Sequence, residues 1–298
     1  MPRTRVLPGR WQSDLLAAIL LDGAPAREAW ERWTRFAGDP KRVLGADAVM
    51  ARPLLALLYD SVRRNRLAVD GETATYLRSA FFAESLRSRA YREILDEVVG
   101  VLRAAEIRFL LVKGAAVGAL YYADPALRHA HDIEMLVEDV GVVGAALGPC
   151  RFGPAGAGLV HESGLPLRLH TRLLGPAPLW ESTTLAAGAG TLDPAHALAL
   201  ALVDAGGSCR WACDARMIVG AAQVDWSAFA DAVIAVDAAR AVHAQARWLV
   251  ERLGVEIPAA VLASLAVRQS PIERTLRAVR RRTVPPGVGG APPAPRIP

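Results

Sequence analysis

Two short apolar runs constrain the fold of this chain more than any other feature. Arg108–Val112 reads RFLLV, and Ile133–Val137 reads IEMLV. Runs of this length are too short for a buried helix and are typical of buried strands. The first run ends at Lys113-Gly114, and the Ala-rich segment Ala115–Tyr122 that follows predicts a short helix. This alternation predicts a small mixed α/β core between about residues 100 and 175.

Helical patterns flank this core on both sides. A long amphipathic helix is predicted from about 72 to 105, because apolar residues recur there every four positions: Phe82, Leu86, Ala90, Ile94, Val98 and Leu102. Shorter helices are predicted within 11–37 and 47–66, then at 193–206, 209–222, 225–236, 238–253 and 258–266, with a basic helix to about 282. Asp193 and Asp225 are the predicted N-caps of two of these helices.

The predicted fold class is therefore α/β (α+β), a small mixed sheet between two helical regions. We divide the chain into an N-terminal helical region at 1–100, the α/β core at 101–180 and a C-terminal helical region at 181–282. The Pro/Gly-rich stretch at 283–298 is predicted to be a disordered tail.

A hairpin is predicted near the end of the core. The segments GLVHE at 158–162 and LPLRLHTRLL at 165–174 flank the turn residues Ser163-Gly164. With a two-residue turn, His161 would face the same side of the sheet as Arg168, and Glu162 would face the other side. A register slip of one residue would reverse both directions.

Composition favours a soluble, cytoplasmic protein with no membrane partner. The longest apolar stretches, such as ALALALV at 197–203, are too short to span a bilayer. Three cysteines, Cys150, Cys209 and Cys213, do not make a disulfide framework, and we interpret them as small buried residues. Basic and aromatic residues are not interleaved as in sequence-specific readers of nucleic acid, so no such partner is predicted.

The chemistry of the chain is concentrated in Asp132, Glu134 and the preceding Lys113-Gly114. Residues two apart on a strand face the same side, so the two carboxylates would repel each other unless a cation compensates them. Mg²⁺ is held in proteins by one or two carboxylates together with substrate phosphates. Lys113 and Gly114 lie at a strand-to-helix transition, where free N–H groups favour an anion. A metal site and a phosphate site can therefore converge on a nucleoside triphosphate (NTP), which suits nucleotidyl transfer. The alternative is an exposed acidic pair at the strand entry with no catalytic role.

The order of these residues resembles a known family. Lys-Gly-Ala-Ala, then Tyr-Tyr-Ala-Asp-Pro-Ala-Leu-Arg, then Asp-Ile-Glu-Met-Leu-Val is similar to the uncharacterised nucleotidyltransferase family of the DNA polymerase β-like superfamily. That family shows an apolar strand into Lys-Gly-Ala-small, then an aromatic, Asp-Pro, Arg and an Asp-x-Asp strand. The resemblance extends over about residues 50–265, including LPLRLHTRLL and the helical region that follows.

The resemblance implies transfer of a nucleoside monophosphate from an NTP to a hydroxyl on a small molecule, peptide or protein. Asp132 and Glu134 would bind Mg²⁺, while Lys113 and Gly114 would bind the phosphates. Arg128 matches the family's Arg, and it either contacts a phosphate or pairs with Asp132. Asp214 matches a family Asp in the helical region, for which we favour a structural cap or ion pair over catalysis.

The sequence departs from the family pattern at two carboxylates. Glu134 replaces the usual second Asp, and Arg168 falls where the superfamily has its third carboxylate. An Arg can neither bind Mg²⁺ nor act as a base. His170, two residues further on the same face, is the remaining candidate for a catalytic base.

Two interpretations follow from Arg168. In the first, the chain is a working transferase. In the second it is a pseudoenzyme in which Arg168 pairs with Asp132 and Glu134, and the fold binds a nucleotide, peptide or protein. His129 and His131, which precede Asp132, could form a metal site, although we favour an exposed loop.

Overall fold

The computed structural model describes residues 7–46, 51–156, 158–174, 179, 183–186, 189–205 and 208–267. The predicted disordered tail at 283–298 and the predicted basic helix to residue 282 lie outside these residues. The helices are α1 (Arg10–Leu20), α2 (Gly23–Ala37), α3 (Pro40–Ala46), α4 (Leu55–Asn65), α5 (Gly71–Ala104), α6 (Lys113–Tyr121), α7 (Val140–Leu147), α8 (Pro194–Val203), α9 (Arg210–Ala221), α10 (Trp226–Ala235), α11 (Ala239–Leu253) and α12 (Ala259–Val267). None of these helices is long and apolar enough to cross a bilayer.

The helix positions agree with the sequence patterns, and local signals explain their ends. The carboxylate of Asp193 accepts hydrogen bonds from two backbone N–H groups in the first turn of α8. Asp225 caps α10 in the same way. Both predicted N-caps are therefore confirmed, because a short side-chain oxygen satisfies N–H groups that have no partner inside the helix.

The core is a seven-stranded mixed sheet with the order β3-β4-β5-β2-β1-β7-β6. Its strands are β1 (Phe109–Leu111), β2 (Ile133–Val137), β3 (Phe152–Ala155), β4 (Gly158–His161), β5 (Pro166–His170), β6 (Thr183–Ala186) and β7 (Ala189–Leu192). Strand β2 is antiparallel to β1 and parallel to β5, while β7 is parallel to β1. This arrangement of a mixed sheet with flanking helices confirms the predicted fold class.

The sheet also contains strands that the sequence did not predict. Strands β6 and β7 continue it past residue 180, within a range predicted to be helical. Their sequences, TTLA and AGTL, consist mainly of small residues without a clear alternation of apolar and polar positions. Pairing with β1 and with each other, rather than local pattern, makes these segments strands.

Helices cover both faces of the sheet. On one face, Val98 and Leu102 of α5 pack in the same buried cluster as Ile133 and Met135 of β2, together with residues of α7. On the other face, Leu136 of β2 belongs to the larger core formed with the N- and C-terminal helices. The acidic residue Glu134 therefore faces the C-terminal helices, because it alternates with Ile133 and Met135 along the strand.

The predicted apolar face of α5 is buried only in its C-terminal half. Val98 and Leu102 are fully buried, but 58% of Phe82 and 64% of Leu86 is exposed. The prediction of a single face was wrong, because a step of four residues exceeds one helical turn by about 40°. Apolar residues spaced every four positions therefore wind gradually around a helix as long as α5, and they cannot all face the core.

The hairpin register also differs from the prediction. Leu159 pairs with Leu167 and Val160 with Pro166, and the backbone N–H of His161 donates to the oxygen of Leu165, so three residues, 162–164, form the turn. His161 consequently lies on the side of Leu167, buried and facing away from Arg168. The prediction that His161 faces with Arg168 was wrong, since a change of one residue in register reverses each side chain.

Candidate active site

The two carboxylates lie together where β2 begins. Asp132 immediately precedes the strand, and Glu134 is its second residue. Only 8% of Asp132 and 9% of Glu134 is exposed, and both line a single cavity. Ile133 between them points into the opposite core. The structure thus brings the two predicted acidic residues to one face, as their spacing indicated.

Lys113 joins this pair from the start of α6. Its Nζ lies 2.7 Å from Oε2 of Glu134 and 2.6 Å from Oδ2 of Asp204 at the end of α8. The backbone of Lys113 has a φ of 50°, which is rare for a residue with a side chain. Strained backbone of this kind is concentrated at functional sites, and here it directs the lysine between two carboxylates.

His170 contacts the same glutamate from β5. Its Nε2 lies 2.7 Å from Oε2 of Glu134, and it donates the hydrogen bond because an ionised carboxylate only accepts. Burial would raise the pKa of Glu134, but the hydrogen bonds from His170 and Lys113 outweigh it and lower that pKa to about 2. Glu134 is therefore ionised, and His170 acts in this structure as a donor to it.

Arg168 neutralises the other carboxylate. It lies opposite Glu134 in the parallel register of β2 and β5, and its Nε is 2.8 Å from Oδ2 of Asp132. The second interpretation expected Arg168 to pair with both carboxylates. Instead the partners are divided: Arg168 pairs with Asp132, whereas Lys113 and His170 hold Glu134.

Arg128 has a partner that the sequence did not predict for it. Its Nε and Nη2 form two hydrogen bonds to the carboxylate of Asp214 in α9, at 2.9 Å and 2.8 Å. The hydroxyl of Tyr122 donates to the same carboxylate at 2.8 Å. Burial opposes the charge of Arg128, but Asp214 outweighs it and raises the pKa of that guanidinium. The ion pair expected for Asp214 is present, whereas Arg128 does not pair with Asp132 as one alternative proposed.

Gly114 makes room for this arginine. A Cβ atom at Gly114 would lie 2.7 Å from Nη1 of Arg128, closer than real Cβ contacts allow. Gly118, one turn later, also packs against the Arg128 side chain. The glycine that the sequence assigned to phosphate binding therefore has a packing role as well, and its contact with phosphate stays a prediction.

Sequence reasoning missed two charged residues of the site, Asp204 and Arg210. Arg210 begins α9 and lies 3.3 Å from Nδ1 of His131. The presence of both residues at this cavity depends on how α8 and α9 pack against α6, so no local pattern could have indicated them. His129 pairs with Glu84 at 2.9 Å and does not join His131 in a metal site.

These residues surround a cavity of about 130 Å³ that contains a balanced set of charges. Four carboxylates line it: Asp132, Glu134, Asp204 and Asp214. Three cations also line it, Lys113, Arg128 and Arg210, and Arg168 on Asp132 brings the cations to four. The carboxylates are thus compensated by side chains alone.

A pair of divalent ions does not fit this arrangement. The oxygen Oδ2 of Asp132 is held by Arg168, and Oε2 of Glu134 is held by Lys113 and His170. Among the residues that the structure describes, no three His, Cys, Asp or Glu side chains are grouped so that they could hold a metal. Such a centre would need a further carboxylate where Arg168 now lies.

The mixed sheet and its acidic pair beside Lys113-Gly114 resemble the core expected for a nucleotidyltransferase. Residues 46–148, about a third of the chain, match the model of a family described as uncharacterised nucleotidyltransferase. This match confirms the resemblance drawn from the sequence within that stretch, and the resemblance of residues 149–265 stays a prediction. The match ends before β5, so Arg168 and His170 lie outside it. No curated protein matches the chain.

Proposed function

We propose that this chain binds a nucleoside triphosphate in the carboxylate cavity without transferring its nucleotidyl group. The observation that supports this proposal is the ion pair between Arg168 and Asp132 at 2.8 Å. The arginine occupies the strand position beside Glu134 where an active transferase would need a metal-binding acid. The chain would then work as a nucleotide-binding module that no longer depends on Mg²⁺.

Charge supports the proposal. Replacing a carboxylate by an arginine changes the local charge by two, which equals the charge of one divalent ion. With Arg168 present the four carboxylates at the cavity are matched by four cations. The site can thus hold Asp132 and Glu134 together and nearly buried with no metal ion between them.

The hydrogen bonding of His170 points the same way. Transfer to a hydroxyl needs a group that accepts its proton within hydrogen-bond reach. The Nε2 atom of His170 donates to Glu134 and so does not accept a proton in this arrangement. His170 supports the orientation of the glutamate and is no longer the leading candidate for a base.

Phosphates would be bound by Lys113, Arg210 and the first turn of α6. Both side chains line the cavity, and the N–H groups at a helix N-terminus attract anions. Lys113 holds two carboxylates through one flexible side chain, so it can turn to a phosphate while the exposed Asp204 faces solvent and Glu134 keeps its bond to His170.

A second candidate function is transfer of a nucleoside monophosphate to a hydroxyl of a small molecule, peptide or protein. It is favoured by the position of Asp132 and Glu134, which border one cavity with Lys113. In that case these two carboxylates would be the Mg²⁺ ligands, and Arg168 would have to leave Asp132.

Calorimetric titration with ATP, GTP, CTP and UTP, with and without Mg²⁺, tests the proposal. We expect binding that is equal in both conditions and no release of pyrophosphate in the presence of candidate acceptors. Binding that requires Mg²⁺ would favour the transferase. Lys113→Ala should weaken binding, while Lys41→Ala is a matched control, because Lys41 is the other lysine of the chain and forms an exposed pair with Glu72.

A further inference from the structure

A second cavity of about 250 Å³ lies between α5 and α6, next to the carboxylate cavity. One wall is the face of α6 that carries Gly114, Ala115, Gly118 and Ala119. The other wall comes from Tyr91 and Leu95 of α5. Small residues on one side and an aromatic ring on the other leave a slot with mostly apolar walls.

A few polar side chains of α5 also line this slot. Ser88, Arg92 and Asp96 of α5 line it, and of these Arg92 and Asp96 are exposed at its rim. The hydroxyl of Tyr91 donates a hydrogen bond to the backbone oxygen of Asp132 at 3.1 Å. Mostly apolar walls with a few placed polar groups are what small-molecule pockets have in common.

The two cavities share a boundary. Gly114 and Arg128 line both of them, and the Arg128 side chain runs along Gly114 and Gly118 to reach Asp214. Gly114 and the Arg128 side chain therefore separate the apolar slot from a charged group bound over Lys113. A nucleotide has this division, with charged phosphates at one end and a flat, largely apolar base at the other.

The volumes of the two cavities also support a ligand with a charged part and a flat apolar part. The carboxylate cavity of about 130 Å³ and the slot of about 250 Å³ are each smaller than the roughly 300–1,000 Å³ of pockets for whole drug-sized ligands. Together they can hold one ligand in two parts. The slot alone suits a single planar ring system.

The positions of the lining residues in the sequence also support one shared ligand. All residues that line the slot, from Glu84 to Ala130, lie within the stretch 46–148 that matches the family model. The carboxylate cavity, in contrast, also uses residues from Ala197 to Asp214 outside that stretch. The slot is thus built from the same part of the chain as Lys113 and the acidic pair.

We propose that the slot between α5 and α6 binds the planar base of the nucleotide whose phosphates contact Lys113 and Gly114. The inference rests on the proposed function, since it assumes that phosphates bind in the carboxylate cavity. Tyr91 and Leu95 provide the surface for one face of the base, and Ala115 and Ala119 provide the surface for the other.

Titration of ATP and of inorganic tripolyphosphate into wild type and Ala119→Phe tests this inference. Ala119 is exposed at the mouth of the slot, so a phenyl ring there fills it without entering the core. Loss of base stacking should weaken ATP binding about 5- to 100-fold. Tripolyphosphate has no base, and its affinity should stay within about twofold. Ala90→Phe is the matched control, since Ala90 is an exposed alanine of α5 outside the slot.

The possible results distinguish failure of the base site from failure of the proposed nucleotide binding. Equal weakening of ATP and tripolyphosphate binding, or no weakening of either, would overturn the base site, while phosphate binding by the wild type would still stand. If wild type binds neither compound, the proposed function itself fails and the base site fails with it. Should Ala119→Phe not fold, Ser88→Phe fills the slot from the opposite wall, and the same comparison of the two ligands applies.

Discussion

The Nε atom of Arg168 lies 2.8 Å from Oδ2 of Asp132, one strand away from the acidic pair. About 60% of the Arg168 side chain is exposed, while Asp132 is nearly buried. The arginine therefore reaches in from the surface to a carboxylate that has little other access to solvent. Its removal would leave Asp132 without its nearest cation, and its replacement by an acid would reverse the local charge.

We predict that Arg168→Asp makes nucleotide binding depend on Mg²⁺. The substitution removes the arginine from Asp132 and puts a further carboxylate beside Asp132 and Glu134. Three neighbouring acids without that cation require a divalent ion for compensation. Calorimetric titration of an NTP should show little binding without Mg²⁺ and at least about 10-fold tighter binding with it, which corresponds to roughly 1.4 kcal/mol.

The control for this substitution is Arg172→Asp. Arg172 is exposed just after β5, so its replacement changes the net charge equally but leaves the cavity alone. If both variants respond to Mg²⁺ in the same way, the effect comes from overall charge and the special role of Arg168 is wrong.

The ion pair between Arg128 and Asp214 should be important for stability. Both side chains are about nine-tenths buried, so Asp214→Ala leaves a buried guanidinium without its counter-charge. We expect the free energy of unfolding to fall by about 3–5 kcal/mol, measured by urea denaturation. Asp231→Ala, at an exposed position of α10, should change it by no more than about 0.5 kcal/mol.

A double variant separates charge from packing at this pair. Replacing Arg128 by Met together with Asp214 by Leu removes both charges and keeps apolar volume. Since buried ion pairs can often be exchanged for apolar residues at little cost, the double variant should be more stable than Asp214→Ala. A double variant as unstable as the single one would mean that shape, not charge, dominates here.

Much of the fold could be predicted because its elements have local signatures. The β2 run IEMLV and the following helix were placed at 133–137 and 140–147, the bounds that the structure gives. Short apolar runs between turn residues define such elements without tertiary information. Strands β6 and β7 lack that signature, and their pairing with β1 depends on contacts across about 80 residues of chain.

The candidate site was predictable only in part, for the same reason. Alternation along β2 put Asp132 and Glu134 on one face, and the family pattern put Arg168 near them. Nothing local connects Arg128 to Asp214, which is 86 residues away, or brings Arg210 to His131. Charged groups from the C-terminal helices complete the site, and their positions follow from helix packing alone.

Acid should reduce the stabilising effect of Glu134. In the folded protein the hydrogen bonds from His170 and Lys113 outweigh the effect of burial and lower the pKa of Glu134 to about 2. In the unfolded chain a Glu side chain has a pKa of about 4.3. A lowered pKa stabilises the fold above the unfolded value, and the benefit is lost as pH falls towards about 2. Glu134→Gln should thus cost about 1–3 kcal/mol at pH 6 and clearly less at pH 3.

Urea denaturation of wild type and Glu134→Gln at these two pH values measures the difference. Glu138→Gln is the control, because Glu138 lies just after the same strand and forms an exposed pair with Arg108. A cost of Glu134→Gln that does not change between pH 6 and pH 3 would show that its ion pairs contribute little to folding.

Gly114→Ala tests whether the glycine serves Arg128. The added methyl group would lie 2.7 Å from Nη1 of Arg128, and that guanidinium is fixed by Asp214 and cannot move freely. We expect a loss of about 1–3 kcal/mol in the free energy of unfolding, as for other overpacked sites. Gly100→Ala is the matched control within α5, where a Cβ meets open space, and it should stabilise the protein by about 0.5–1 kcal/mol. If Gly114→Ala is as stable as wild type but binds tripolyphosphate more weakly, the glycine is needed for phosphate rather than for Arg128.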